Sequence, residues 1–341
     1  MATDFVYPTS EKLYEIAAEK LPSLEANRPI FQHFPIRNED FPEISWEQKD
    51  RYTGLQNLRG INGAPARVLP LGVSRFRMQP GYYGEFMSLD EMELTIRRQV
   101  GSFATPVSIE DLVLDKQDRL LQRRLDRIEQ IGWTLLTTGT FSVATPEGGI
   151  MHTDTFPLQT FTASVSWATS ATATPLLDLR TVKLKHRGYS VSFNSEATAY
   201  MNATTYNNLV QNNNSADLFG RRTQGLGTIQ NLTEINKLFV GDDLPSIKIY
   251  DEGYLDENFK FNLFIPDNIV VLIGKRPAGQ NIGAYVMTRN ASNPSMAPGA
   301  FMKVVDSLDH GHPFPRQIQV YDGHNGGPII EYPSSVVVMS V

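Results

Sequence analysis

Cysteine is absent from all 341 residues. The chain therefore holds no disulfide, no zinc–thiolate site and no thiol nucleophile, which fits assembly in a reducing compartment. A basic excess is missing too: 31 Lys and Arg stand against 37 Asp and Glu, a formal charge of −6. That excludes a broadly basic nucleic-acid binder. No apolar run approaches the roughly 20 residues that span a bilayer. The opening Met-Ala-Thr-Asp-Phe offers neither a basic nor an apolar leader, so the expectation is a soluble, non-secreted protein with no membrane partner. Hydrophobic residues at 41% still suffice for a core and exclude a chain disordered by composition. The length allows one large domain or two to three interleaved ones.

Signatures of chemistry are equally scarce. There is no phosphate-binding Gly-Lys-Ser/Thr loop and no Gly-x-Ser-x-Gly elbow. Gly225-Leu-Gly lacks the third glycine of a dinucleotide fingerprint. His33, His152, His186, His310, His312 and His324 are scattered, and Asp309-His310-Gly311-His312 could supply two metal ligands but reads as a Pro-flanked surface loop. Asn202, Asn213, Asn231 and Asn290 head glycosylation sequons that mean little without secretion. No catalytic residue, metal or cofactor is expected, and the chain reads as a non-enzyme.

What the sequence does have is an uneven charge. From Tyr52 to Gly84 there is no acid and no lysine, only Arg59, Arg67, Arg75 and Arg77. That segment carries +4, so the remainder carries −10. Its many Gly and Pro residues forbid a long helix, and alternation at 67–71 and 73–78 predicts an extended two-stranded arm. Such an arm either stands in solvent or lies on an acidic neighbouring subunit. Glu39-Asp40 and Asp242-Asp243 are candidate acidic partners.

Residues 9–21 place Leu13, Ile16, Ala17 and Leu21 on one face behind a Thr9-Ser10 cap, predicting an amphipathic helix stopped by Pro22. Residues 28–48 form a Pro-punctuated aromatic arm with Phe31, Phe34, Phe41 and Trp46, which must dock on its own body or on a neighbour. The clearest periodicity covers 108–136. Ser108 and Asp111 resemble a capping box, Leu121, Leu125, Ile128 and Leu135 make one stripe, and Gly139 closes a helix roughly 40 Å long, a spine for one face of a sheet. Beyond it the spacing predicts strands at 140–143, 158–168, 189–193, 246–250, 259–264 and 269–273, with helices from Pro175, over 203–211 and over 228–239. Strands at 317–321 and 335–340 are expected to flank a turn cluster from Asp322 to Pro328. Mixed elements without βαβ repetition argue for an α+β fold.

Five segments follow one another in a telling order: Arg28-Pro-Ile-Phe-Gln-His-Phe-Pro; Gly60-Ile-Asn-Gly-Ala-Pro-Ala-Arg-Val with Arg75-Phe-Arg-Met-Gln-Pro-Gly-Tyr-Tyr; Leu89-Asp-Glu-Met-Glu-Leu-Thr-Ile-Arg-Arg; Ala203-Thr-Thr-Tyr-Asn-Asn-Leu; and Phe264-Ile-Pro-Asp-Asn-Ile-Val-Val-Leu-Ile-Gly. This order resembles the major capsid (head) proteins of tailed double-stranded DNA phages, of the lambda head protein type. The resemblance implies the Hong Kong 97 type fold: an N-terminal arm (1–49), an extended E-loop (50–95), a P-domain (96–167) with its spine helix (108–138), an A-domain (168–310) and C-terminal strands (311–341) returning to the P-domain. It also implies hexamers and pentamers of the chain in an icosahedral head, assembled in the host cytoplasm, around double-stranded DNA held without sequence-specific contacts. Scaffold, portal and a decoration protein would be further partners. Within that frame Arg59, Arg67, Arg75 and Arg77 would make inter-subunit contacts, Phe31, Phe34, Phe41 and Trp46 would dock the N-arm, and Leu121, Leu125, Ile128 and Leu135 would pack the spine. The alternative is a soluble α+β enzyme or binding module using polar loops such as 309–312.

Overall fold

The computed structural model describes residues 8–48, 55–65, 67, 74–96, 107–145, 149–187, 191–215, 231–256, 258–274, 281–293, 296–307 and 315–341. In chain order the elements are α1 (Ser10–Ala26), α2 (Pro29–His33), β1 (Ile36–Asn38), β2 (Ile44–Gln48), β3 (Ser74–Met78), β4 (Gly81–Leu89), α3 (Glu91–Ile96), α4 (Ile109–Thr138), β5 (Thr140–Ala144), β6 (Ile150–Thr155) and β7 (Gln159–Thr162). There follow α5 (Pro175–Lys185), β8 (Thr198–Met201), α6 (Ala203–Gln211), α7 (Leu232–Gly241), β9 (Ser246–Ile249), β10 (Gly253–Leu255), β11 (Phe261–Leu263), β12 (Ile269–Ile273), β13 (Gly283–Met287), β14 (Phe301–Asp306), β15 (Ile318–Ile330) and β16 (Val336–Ser340). This is a mixed α and β protein. It divides into two compact units: Met1–Ile44, Arg77–Gly132 and Ala284–Ile329 make unit 1, and Ser45–Phe76, Trp133–Gly283 and Ile330–Val341 make unit 2.

Unit 1 is a sheet ordered β1-β13-β15-β14, with β4 also paired to β15, and helices against it. Its core joins Leu13 of α1, Leu112, Val113 and Leu120 of α4, Leu89 of β4, and Ile318 and Val320 of β15. A second cluster of Ala17, Leu121 and Met302 continues it. Helix α1 starts on Thr9, whose Oγ1 accepts from Lys12 N–H, but it does not stop at Pro22. It runs on to Ala26, because Leu21 and Leu24 pack against the second cluster. Tertiary burial there outweighs the cost of about 3 kcal/mol for an interior proline.

Unit 2 is built on a mixed sheet ordered β7-β16-β12-β8-β9. The runs Ile269-Val-Val-Leu-Ile and Val336-Val-Val-Met have no polar face because both faces of these central strands are covered. Leu179 and Val182 of α5, Leu209 of α6, and Ile235 and Phe239 of α7 share one cluster with Val270, Leu272, Val337 and Met339. Trp133 meets Tyr200 of β8 edge-on at 5.3 Å.

Helix α4 ends where the glycine was expected: Gly139 takes φ +71 and its N–H reaches Leu135 O at 2.8 Å. Three other expectations fail. The strand expected at 158–168 keeps only Gln159–Thr162, since the chain turns away so that buried Trp167 can donate from Nε1 to Asp178 of α5. No strand forms at the described residues of 189–193, where Val191 and Phe193 are buried by packing alone. The turn cluster Asp322–Pro328 is instead the middle of β15, a continuous 13-residue strand. Its glycines serve close approach rather than turning: a Cβ on Gly323 would sit 2.5 Å from Phe301 Cε1 and from Tyr83 O.

Candidate assembly surface

The charged arm starts from a rigid root. Strand β3 pairs with β2, and buried Trp46 of β2 stacks on Phe76 at 5.5 Å and on Phe156 at 5.4 Å. The second strand expected for the arm, 67–71, lies almost wholly outside the described residues, and among the described residues β3 pairs with β2. At this root Arg75 and Arg77 are exposed, and Arg75 Nε reaches Glu47 Oε1 at 2.9 Å.

Residues 55–65 have no helix or strand and carry one tight turn. Gly63 N–H donates to Gly60 O at 2.9 Å, with Asn62 left-handed at φ 64. Leu55, Leu58 and Ile61 are 98%, 101% and 99% exposed. These three apolar side chains, three residues apart, form an almost fully exposed apolar patch. Arg59 and Arg67 are exposed on the same segment.

The N-terminal arm belongs to its own subunit over most of its length. Phe31 and Phe34 are buried in unit 1, and Ile30 fills the space that a Cβ on Gly132 would occupy, with Cγ1 2.7 Å from that point. Strand β1 then joins β13 in parallel, Ile36 opposite Tyr285. Phe41 differs from the other arm aromatics: it is 63% exposed.

Three ion pairs hold the arm to α4. Lys12 meets Glu110 at 2.7 Å, Lys20 meets Asp118 at 2.6 Å, and Arg28 meets Asp126 at 2.6 Å. The sequence offset is 98 each time, so α1 and Arg28 just beyond it run parallel to α4 in fixed register. Buried Glu129 also accepts from Arg28, at 3.1 Å. Composition did not reveal this ladder, although the matching eight-residue spacings of Lys12, Lys20, Arg28 and of Glu110, Asp118, Asp126 are in the sequence.

The stripe Leu121, Leu125, Ile128 and Leu135 is buried along α4. Beside it lies a buried polar group that was not anticipated. Arg124 Nη1 donates to both oxygens of Asp322, at 3.0 and 2.8 Å, and both residues are buried. Two positions along β15, His324 shares a 2.9 Å hydrogen bond with the Tyr285 hydroxyl and stacks on Tyr83 at 5.1 Å. Burial pushes Asp322 up to about 6, partly offset by Arg124. It pushes His324 down to about 3, with Arg124 and Arg127 adding to the effect. Burial likewise raises Tyr83 to about 12. A lone Asp and His inside a Gly-rich run gave no warning of this.

Three of the four acids offered as arm partners are engaged at home. Asp40 takes Arg289 bidentately at 2.5 and 2.9 Å, Asp242 takes Arg180 at 3.4 Å, and Asp243 takes Lys183. Among the described residues no group of His, Asp and Glu could hold a metal ion, and no helix is long and apolar enough to cross a membrane. The loop 309–312 and the Gly225 motif lie outside the described residues.

Comparison with known proteins agrees with this geometry. The model of the family described as phage major capsid protein E matches residues 30–297. Among solved structures, one from E. coli CFT073 described as a prophage capsid protein is 14% identical, with a TM-score of 0.66 over 98% of this chain and 99% of that one. A phage-related protein from Bordetella bronchiseptica RB50 is 10% identical, with a TM-score of 0.58 over 98% and 97%. No curated protein matches.

Proposed function

This chain belongs to the phage major capsid protein E family, a family of structural shell proteins rather than enzymes, and we propose from that premise how its copies are held together. The fold class is α+β of the Hong Kong 97 type, and the virion is its place of work. In our reading the chain forms hexamers and pentamers of an icosahedral head around double-stranded DNA. Domains follow the division into N-arm (1–49), E-loop (50–95), P-domain (96–167), A-domain (168–310) and returning C-terminal strands (311–341). Assembly takes place in the host cytoplasm, with scaffold, portal and a decoration protein as the further partners. The −10 remainder disfavours tight contact with the enclosed DNA.

One observation carries the inter-subunit role of the arm: Leu55, Leu58 and Ile61 are exposed almost completely, beside exposed Arg59 and Arg67. Such a segment gains order and burial only on another surface. The arginines steer it toward an acidic neighbour and set its register, while Arg75 and Arg77 secure and extend the contact at the root. Phe41, left exposed by its own subunit, is the N-arm aromatic that would dock on the next. Reversing Arg59 and Arg67 together to Glu should leave the far-UV circular dichroism and the melting temperature of the subunit unchanged and abolish or greatly slow particle formation. Normal particles from a chain reversed at all four arginines would refute the charge-paired arm.

A further inference from the structure

A second apolar surface lies on unit 2, on the hairpin of β10 and β11. The hairpin has two unlike faces. On one, Tyr254 meets Phe264 at 5.7 Å, Phe264 stacks on Tyr250 at 6.2 Å, and Tyr250 meets buried Trp133 at 5.4 Å. This aromatic series roots the hairpin in the core of the unit. On the other face Leu255 and Phe261 stand directly opposite one another across the ladder. The Phe261 ring lies against Gly253, where a Cβ would be 2.7 Å from Cζ. A hairpin with one face on the core normally turns polar residues to water on the other. Here that face is apolar: Leu255 is 62% and Phe261 56% exposed.

The turn adds a third apolar group at a cost. Phe259 is 83% exposed and has φ +58, a conformation that a bulky L-residue adopts rarely and with strain. Asp256 enforces it, accepting from Asn258 N–H and Lys260 N–H at 2.9 Å each and from Asn262 Nδ2 at 3.1 Å. A turn free of other duties would place Gly or Asn at that position. The strain is retained and an aromatic ring is held out into solvent.

We infer that Leu255, Phe259 and Phe261 form a contact with a second copy of this chain within the assembled shell. The inference rests on the capsid reading. Area decides for that occupant: the three exposed side chains offer on the order of 400 Å², about half of the roughly 800 Å² that each partner gives to a stable binary complex. So small a patch cannot hold an independent partner, but it contributes when geometry repeats it many times in one assembly.

Phe259→Gly separates the contact from the fold, because glycine adopts the left-handed turn without strain. The full-length variant should melt no lower than the parent yet need a protein concentration about tenfold higher or more to form sedimenting particles. A second reading leaves the patch intact. The chain has no cysteine, so Lys260→Cys places a single thiol beside Phe259; it should react rapidly with a maleimide in free subunits and about tenfold more slowly or less in particles. Particles forming from Phe259→Gly at the parental concentration, or equal thiol labelling in the two states, would overturn this contact while leaving the capsid reading intact. A parental chain that forms no particles would remove the premise itself.

Discussion

His324 and Asp322 occupy neighbouring buried positions on β15, and burial moves their proton affinities in opposite directions. His324, depressed from 6.5 to about 3, stays neutral in the fold, so its contribution is present above pH 6.5 and is lost as pH falls toward 3. Asp322, raised from 3.8 to about 6, does the reverse: its contribution is present below pH 3.8 and is lost as pH rises through 6. Between about pH 4 and 6 the two nearly cancel, and net loss sets in below about pH 4. Arg124, Arg127, Tyr14, Tyr83, Tyr285 and Glu85 are ionisable groups around them among the described residues. Asp322→Asn should therefore expose the histidine, and denaturant titrations from pH 7 to 4 should show stability falling from about pH 6.5 rather than from about pH 4. Parallel pH profiles for the two chains would contradict this. Arg124→Met alone should lower stability by about 3–5 kcal/mol, because it leaves a carboxylate buried without its partner. Neither residue was legible beforehand: a single Asp and a single His acquire meaning only when β15 places them under α4.

At the scale of elements, periodicity was readable and long-range pairing was not. The α4 stripe and its Gly139 terminus depend on local spacing, which the sequence carries openly. The middle of β15 reads as a turn in sequence because Gly, Asn and Pro ordinarily signal one. Here Gly323 is needed under Phe301, a requirement set by a residue 22 positions earlier. Gly323→Ala should accordingly destabilise the subunit by about 1–3 kcal/mol, the usual cost of overpacking, as read from the denaturation midpoint. Pro22 failed as a helix stop for a similar reason, since the surface that holds its helix comes from elsewhere in the chain. The α1–α4 ladder predicts a compensating pair. Lys20→Asp or Asp118→Lys alone should cost a few tenths of a kcal/mol to about 1, and the double exchange should recover most of it at low salt. Full additivity of the two losses would exclude the register role.

For the whole molecule, the charge pattern and the order of segments point to a self-assembling shell protein, and the family and fold agree. The finer picture of which residues meet across subunits was only half legible. Exposure can be expected of an arginine-rich arm, and three of the acids proposed to receive it, Asp40, Asp242 and Asp243, already pair with Arg289, Arg180 and Lys183 of their own chain. The apolar triplet Leu55, Leu58 and Ile61 adds the exposed apolar surface that charge alone does not. The most direct measurement is sedimentation velocity of the purified full-length chain over a range of concentration and ionic strength, with negative-stain microscopy of the fast-moving fractions. Capsomers or closed shells are the predicted result. Monomers at every concentration and every ionic strength would contradict it.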